Sequence, residues 1–70
     1  MGEIQLAPVD RLIRKAGAER VSDGAKKVLA GILEDLAKQI TEAAVQYARH
    51  AKRKTITDED VKLAAKALLG

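Results

Sequence analysis

The chain has 70 residues, a net charge of +3 and no cysteine, so disulfides and thiolate zinc sites are excluded. Its 33 apolar residues are 13 alanines, 18 valines, leucines or isoleucines, one methionine and one tyrosine, and a chain this small with so few large apolar side chains would be marginally stable alone. Because neither a disulfide nor a metal site is expected, the composition predicts a homo-oligomer.

The first predicted helix covers residues 8–16. Pro8 suits the first helical position because its missing N–H would be unpaired there anyway, and Asp10 would then lie in the first turn, where the helix dipole favours a carboxylate. Gly17 is expected to end the helix in a left-handed conformation. The apolar face recurs at helical spacing and consists of Val9, Leu12, Ile13 and Ala16.

The second predicted helix covers residues 23–51 and is capped by Ser22. At about 1.5 Å per residue it is about 42 Å long, and one short helix on each side cannot cover the continuous apolar stripe along it. The stripe therefore predicts a second copy of the chain as partner. Gly31 lies inside this helix at a cost of about 1 kcal/mol relative to alanine. An exposed glycine is the simpler interpretation, and a close helix crossing is the alternative.

The third predicted helix covers residues 57–68. Thr57 and Asp60 have the spacing of a capping box, in which each side chain binds a backbone N–H at the helix start. The helix dipole favours the three acidic residues of the first turn, which are Asp58, Glu59 and Asp60. The amphipathic pattern continues to the end of this segment and supports a helix.

These elements predict an all-α chain with a short, a long and a short helix, forming one domain over residues 1–70. The two connecting loops are expected at residues 17–22 and 52–56. Each loop carries a β-branched residue, so a short strand-like pairing between Val21 and Ile56 is a further expectation.

Positive charge is concentrated in two segments. The first basic segment, residues 11–27, holds six basic and two acidic residues, and the second basic segment, residues 49–54, holds four basic residues and no acid. Together they carry +8, and the rest of the chain carries −5. This asymmetry favours a polyanion-binding face, with ordinary solvated charge as the alternative.

Composition also argues against a membrane protein and an enzyme. No apolar run approaches the roughly 18 residues of a membrane span, and the start MGEIQLAPVD lacks the features of a signal peptide or a myristoylation site. No cluster of His, Cys or Ser with a base and no phosphate-loop motif is present. We therefore expect a soluble cytoplasmic protein without enzymatic activity, cofactor or metal.

Two stretches of the chain resemble archaeal histones. APVDRLIRKAGAERVS, residues 7–22, is similar to their first helix and first loop, and ARHAKRKTITDEDVKLA, residues 48–64, is similar to their second loop and third helix. Residues 23–47 match in pattern more than in letters, so the resemblance covers nearly the whole chain.

The resemblance implies a histone fold in which two chains pair head to tail as a handshake homodimer. The first loop of one chain would lie beside the second loop of the other, so that the two basic segments merge into one surface for double-stranded DNA. Such dimers would bend, wrap and compact the chromosome of the nucleoid with little sequence specificity. Tetramers or larger assemblies on DNA and heterodimers with related histones are further expectations.

The resemblance also implies roles for single residues. Arg11 would enter the minor groove, and the phosphate contacts would come from Arg14, Arg20, Lys26, Arg53, Lys54 and Thr55. Arg53 and Asp60 would form a structural ion pair, with two solvated side chains as the alternative. Contacts between dimers would involve Tyr47, His50 and Asp60. Alternatively, His50 interacts with the helix dipole and Tyr47 packs at the edge of the core.

The sequence departs from the family at Lys52, where glycine is usual. A left-handed lysine would cost up to about 1 kcal/mol and would add a cation near the DNA. Gly31 and Lys15 stand where charged partners between stacked dimers are expected, so long stacked assemblies stay an open question. Gly17 supplies the small residue that stacking needs, and Asp35 could pair with Lys62 or Lys66.

Two other functions compete with DNA wrapping. A histone-fold dimer could serve as a protein-interaction module without wrapping DNA, but it would not need the basic segments. A helix-turn-helix regulator could use residues 57–68 as its recognition helix, but a central helix of about 28 residues fits that motif poorly.

Overall fold

The computed structural model describes residues 5–70, which form three helices: α1 (Leu6–Lys15), α2 (Asp23–His50) and α3 (Asp58–Leu69). Within this range no strand is present. The prediction of an all-α chain with a short, a long and a short helix is confirmed. In this part of the chain neither Val21 nor Ile56 lies in a strand. The N-terminal stretch MGEIQLAPVD, in which neither a signal peptide nor a myristoylation site is expected, lies partly outside the described residues.

The chain divides into two compact units, the first reaching to Asp35 and the second covering Leu36–Gly70. The first unit contains α1 and the beginning of α2, and its buried apolar residues are Val9 and Ala30. The second unit contains the rest of α2 together with α3, and its buried residues are Ala44, Ala48, Asp60 and Ala64.

Helix α1 begins two residues before Pro8, so the predicted start was wrong. Gln5 precedes the helix in an extended conformation and provides no side-chain cap. A proline is tolerated throughout the first turn, where the N–H groups have no helical partner, and for this reason it did not mark the first residue. Asp10 consequently lies beyond the first turn, and its carboxylate instead accepts a hydrogen bond from Nε of Arg14 at 3.0 Å.

The end of α1 matches the prediction. Gly17 has a φ of +121°, and its N–H donates to the carbonyl of Arg14 at 3.0 Å. The N–H of Ala18 donates to the carbonyl of Ile13 at 3.4 Å. These two hydrogen bonds are those of a Schellman motif, which satisfies the last carbonyls of a helix by turning the chain through a left-handed residue.

Helix α2 is capped at both ends. The Ser22 hydroxyl accepts a hydrogen bond from the N–H of Ala25 at 3.0 Å, which confirms the predicted N-cap. At the other end the N–H of Lys52 donates to the carbonyl of Arg49 at 2.9 Å, and the N–H of Arg53 donates to that of Ala48 at 2.8 Å. This is a second Schellman motif, and its left-handed residue is Lys52 with a φ of +59°, as expected.

Helix α3 begins with the predicted capping box. The Thr57 hydroxyl accepts a hydrogen bond from the N–H of Asp60 at 3.4 Å, and the Asp60 carboxylate accepts one from the N–H of Thr57 at 2.9 Å. Both donors would otherwise lack a partner at the helix start. The first turn of α3 is therefore fixed to the end of the preceding loop.

The apolar core of the single chain is small. Within residues 5–70 the buried apolar side chains are one valine and four alanines. Larger side chains remain exposed; Val28 and Leu69, for example, are each 64% exposed. The full set is Leu12, Val28, Ile32, Ile56, Val61, Leu63, Leu68 and Leu69. Burying one such side chain fully contributes about 1.5–3 kcal/mol, so a partner that covered them would add substantially to stability.

Two further observations concern the helices. An added Cβ at Gly31 would meet nothing within 4 Å, which supports the interpretation of Gly31 as an exposed, tolerated glycine in the single chain. None of the helices in the described range has the length and apolar character to cross a membrane.

Candidate nucleic-acid interface

The first basic segment contains two kinds of cation. Arg11 on α1 and Arg20 in the loop after it are exposed, and within residues 5–70 neither forms an ion pair. Their full charge is therefore available to a polyanion. These two arginines therefore offer unpaired charge to an external anion.

Arg14 and Lys26, by contrast, are already engaged with acidic residues. Nε of Arg14 lies 3.0 Å from Asp10, and its Nη1 donates to the carbonyl oxygen of Glu19 at 3.0 Å. Arg14 thus connects α1 to the loop that follows. Nζ of Lys26 lies 3.3 Å from the Asp23 carboxylate, and the Lys26 side chain is only 22% exposed. Both cations are partly neutralised inside the chain.

An open groove runs along α1. Its lining residues are Pro8, Arg11, Leu12, Arg14 and Lys15. Lys15 was not among the DNA contacts expected from the sequence, although its place in the first basic segment was a signal for it. The groove combines Arg11, Lys15 and the partly neutralised Arg14 with an exposed leucine, which suits a negatively charged partner.

The second basic segment is organised by the Arg53–Asp60 pair. Nη1 of Arg53 donates to Oδ2 of Asp60 at 2.8 Å, and Nη2 donates to Oδ1 at 2.9 Å. Nη1 also donates to the carbonyl of Thr55 at 3.0 Å. A bidentate pair of this geometry fixes both partners. The structure therefore brings together the two residues expected to pair, and it joins the loop to the first turn of α3.

Asp60 is the buried acid at the centre of this arrangement, with 2% of its surface exposed. Oδ2 accepts two further hydrogen bonds, from the N–H of Thr57 at 2.9 Å and from its hydroxyl at 3.2 Å. The side-chain hydrogen bond from Arg53, followed by the one from the Thr57 backbone, holds the pKa of Asp60 well below its usual range despite burial. The hydrogen bond to Asp60 likewise raises the pKa of Arg53.

Lys54 and Thr55 are exposed on the loop that this pair holds in place. Beside them is a depression lined by three cations and three apolar residues. Its lining residues are Val45, Ala48, Arg49, Arg53, Lys54 and Ile56. Arg49 was not among the site residues expected from the sequence, although it was counted in the second basic segment. Arg53 is held by Asp60, which leaves Arg49 and Lys54 as the more available cations of the depression.

The residues expected to join one dimer to another differ in their exposure. Tyr47 is half-buried on α2, and His50 is exposed at the last residue of that helix. Nothing in the described hydrogen bonds joins His50 to Asp60 within one chain. Oδ1 of Asp60 accepts the hydrogen bond from Arg53, and a carboxylate oxygen can accept a second. In the described part of the chain, no three His, Cys, Asp or Glu side chains gather as a metal site.

Comparison with known proteins identifies the family. The sequence model of the histone-like transcription factors (CBF/NF-Y) and archaeal histones matches residues 2–65. A chain of the archaeal histone HAN1 from Thermococcus zilligii is 58% identical over 67 residues, covering 96% of this chain and all of that protein. The probable archaeal histone 3 of Methanocaldococcus jannaschii is 50% identical over 64 residues, covering 91% of this chain and 96% of the relative.

Archaeal histones are DNA-binding chromatin proteins associated with the chromosome; they package DNA and are not enzymes. Oligomerisation through the histone fold is a property of the family. The expected all-α histone fold, the resemblance to archaeal histones and the expectation of a non-enzymatic protein are therefore confirmed. The chain belongs to the family of histone-like transcription factors and archaeal histones.

Proposed function

We propose that this protein forms a head-to-tail handshake homodimer that bends, wraps and compacts double-stranded DNA with little sequence specificity. Residues 1–70 would act as one histone-fold domain. The observation that carries this proposal is the set of exposed cations without an ion-pair partner among the described residues, which includes Arg11, Arg20 and Lys54. In a chain whose two basic segments carry +8, these side chains are suited to a phosphate backbone.

The homodimer is proposed to supply the core that one chain lacks. Residues 5–70 of each chain expose eight large apolar side chains, and a second copy has the same surface to bury against them. Head-to-tail pairing would set the loop after α1 in one chain beside the loop after α2 in its partner. Arg20 of one chain and Lys54 of the other would then belong to one continuous cationic surface.

The DNA contacts are proposed to divide into three groups. Arg11 would enter the minor groove without reading bases, the mode that histone octamers exemplify. Arg20, Lys54 and Thr55 would contact phosphates directly. Because other groups in the chain already hold Arg14, Lys26 and Arg53, these three would contribute mainly by holding the loops and adding to the positive field.

Assembly beyond the dimer is proposed to use the C-terminal part of α2. Tyr47 and His50 would contact a second dimer, with the remaining acceptor capacity of Asp60 Oδ1 as a partner for His50. Tetramers or larger assemblies on DNA would follow, and related histones could replace one chain to give heterodimers. The protein would act on the chromosome in the cytoplasm, as a component of the nucleoid.

Nuclease digestion of protein–DNA complexes tests this proposal. Wrapping predicts a ladder of protected duplex fragments with a regular repeat, whereas an interaction module that does not wrap DNA would leave no ladder. Arg11→Ala and Lys54→Ala should each weaken the ladder and should lower affinity for unrelated duplexes to a similar extent.

Lys38→Ala, on an exposed part of α2 outside both basic segments, is the matched control and should preserve the ladder. The absence of a ladder from the wild-type protein would contradict wrapping. A loss of affinity confined to particular sequences in the Arg11 or Lys54 variants would instead indicate base readout.

A further inference from the structure

Lys52 occupies a backbone conformation that side chains disfavour. Within residues 5–70, Lys52 is the residue other than glycine that has a positive φ, which is +59°. An L-residue with a Cβ pays a steric cost in this left-handed region, and glycine does not. The position is the one in a Schellman motif where glycine is most common.

The chain itself offers the comparison. The loop after α1 and the loop after α2 begin with the same two hydrogen bonds, one set around Gly17 and the other around Lys52. Where α1 ends, the sequence has the residue that the backbone favours. Where α2 ends, it has a lysine, and neither hydrogen bond of the motif requires the lysine side chain.

The surroundings of Lys52 do not explain its side chain in the free protein either. Lys52 is exposed, and the described chain provides it with no ion pair. Its neighbours in sequence, Arg49, Arg53 and Lys54, are all basic and line the depression beside it. Among the described residues, Arg53 alone of these three has an ion-pair partner, which is Asp60. The stability cost of Lys52 in the free protein therefore comes from its backbone strain, while its charge is available to an external anion.

We propose that Lys52 is a further phosphate ligand for DNA, which extends the second basic segment beyond the contacts of Lys54 and Thr55. The inference rests on the proposed DNA-binding function. The two hydrogen bonds of the Schellman motif hold the lysine in its left-handed conformation, and the backbone phosphates supply the anion that the free chain lacks. Lys52 thus lowers the stability of the free protein and raises its affinity for DNA.

Two variants separate strain from charge. Lys52→Gly removes both, so it should shift the folding equilibrium about fivefold per chain towards the native state and should also weaken DNA binding. Lys52→Gln keeps the strain and removes the charge, so it should weaken binding to the same extent without the gain in stability. Urea unfolding measures the first effect, and fluorescence anisotropy with a labelled duplex measures the second.

The salt dependence of binding gives the sharper readout. Log affinity falls as log salt rises, and each lost phosphate contact should make this slope less steep by about 0.9. Raising the salt from about 50 to about 200 mM should therefore cost the wild-type protein about 3.5-fold more affinity per lysine than either variant. Lys38→Gln is the matched control and should keep the wild-type slope.

The outcomes distinguish this inference from the proposed function. A steep wild-type slope that both Lys52 variants retain would overturn the role of Lys52 and leave DNA binding intact. A wild-type affinity that does not respond to salt would overturn the proposed function, and the role of Lys52 with it. A reduced slope in both variants, with greater stability in Lys52→Gly alone, is the result expected.

Discussion

Asp60 is the residue through which the second loop and α3 are held together. Its carboxylate accepts two hydrogen bonds from Arg53 and two from Thr57. The capping interaction with Thr57 could be predicted from the sequence because it depends only on a spacing of three residues. The pair with Arg53 spans seven residues and depends on the path of the loop, so composition and periodicity could not predict it and only the family resemblance implied it.

Replacing Asp60 by asparagine should lower the melting temperature by several degrees. The amide would keep the shape of the side chain, but it would remove the charge that pairs with Arg53 and one of the two oxygens that accept hydrogen bonds from Arg53 and Thr57. Thermal unfolding followed by circular dichroism measures the change. Asp58→Asn, in the same turn but exposed, is the matched control and should have a smaller effect.

The stability difference between wild type and Asp60→Asn should also depend on pH. The pKa of Asp60 is lower in the folded protein than the unfolded value of about 3.9, so the folded state binds fewer protons and stability rises with pH. The contribution of Asp60 is complete above about pH 5 and declines as the pH falls further. The raised pKa of Arg53 adds nothing here because arginine stays protonated throughout. A stability difference between wild type and Asp60→Asn that grew as the pH was lowered from about 5 to about 3 would contradict this.

The connection that Arg14 makes between α1 and the following loop could not be predicted from the sequence. Its ion pair with Asp10 follows helical spacing, but the second hydrogen bond, to the carbonyl of Glu19, depends on how the chain turns after α1. The sequence therefore presented Arg14 and Arg11 as similar cations. The structure separates them, because Arg14 connects two parts of the chain and Arg11 has no ion pair in the described range.

Among the helices, the ends that could be predicted from the sequence are those with a capping side chain or a glycine. Ser22 and Thr57 cap α2 and α3 with their hydroxyls, and Gly17 ends α1. The start of α1 lacks such a marker, since Gln5 makes no side-chain cap. Lys52 adopts the left-handed conformation without being glycine, which only the resemblance to a glycine-bearing family made predictable.

Gly31 gives a test at the same scale. Because a Cβ at this position would meet nothing within 4 Å, Gly31→Ala should stabilise the protein by about 1 kcal/mol per chain through its higher helix propensity. Urea unfolding measures the change. Ala37→Gly, at another exposed position of α2, is the reciprocal control and should destabilise by a similar amount.

The sign of the Gly31→Ala effect also reports on the dimer. A loss of stability would mean that the added methyl group meets a neighbouring helix that is absent from the single chain. Gly31 would then lie at a close helix crossing, which is the alternative interpretation of this residue. A gain in stability supports an exposed position in the assembled protein.

For the molecule as a whole, the proposed homodimer would complete the small core and bring more basic segments together. The buried apolar residues of the described chain are one valine and four alanines, while eight larger apolar side chains are exposed. A second copy would cover such side chains and would also add a second pair of basic segments. The sequence could predict the need for a partner from the length of α2 and the lack of large apolar residues. The identity and orientation of that partner depend on the surface of an assembly and came only from the resemblance.

Sedimentation equilibrium of the DNA-free protein at micromolar concentration tests whether a second copy completes the core. Helix content should be measured on the same samples. We expect a folded species of twice the 7.5 kDa chain mass, and we expect helix content to be lost on dilution as the dimer dissociates. A folded monomer of 7.5 kDa that keeps its helix content at every concentration would contradict this expectation, because the single chain would then need no partner to complete its core.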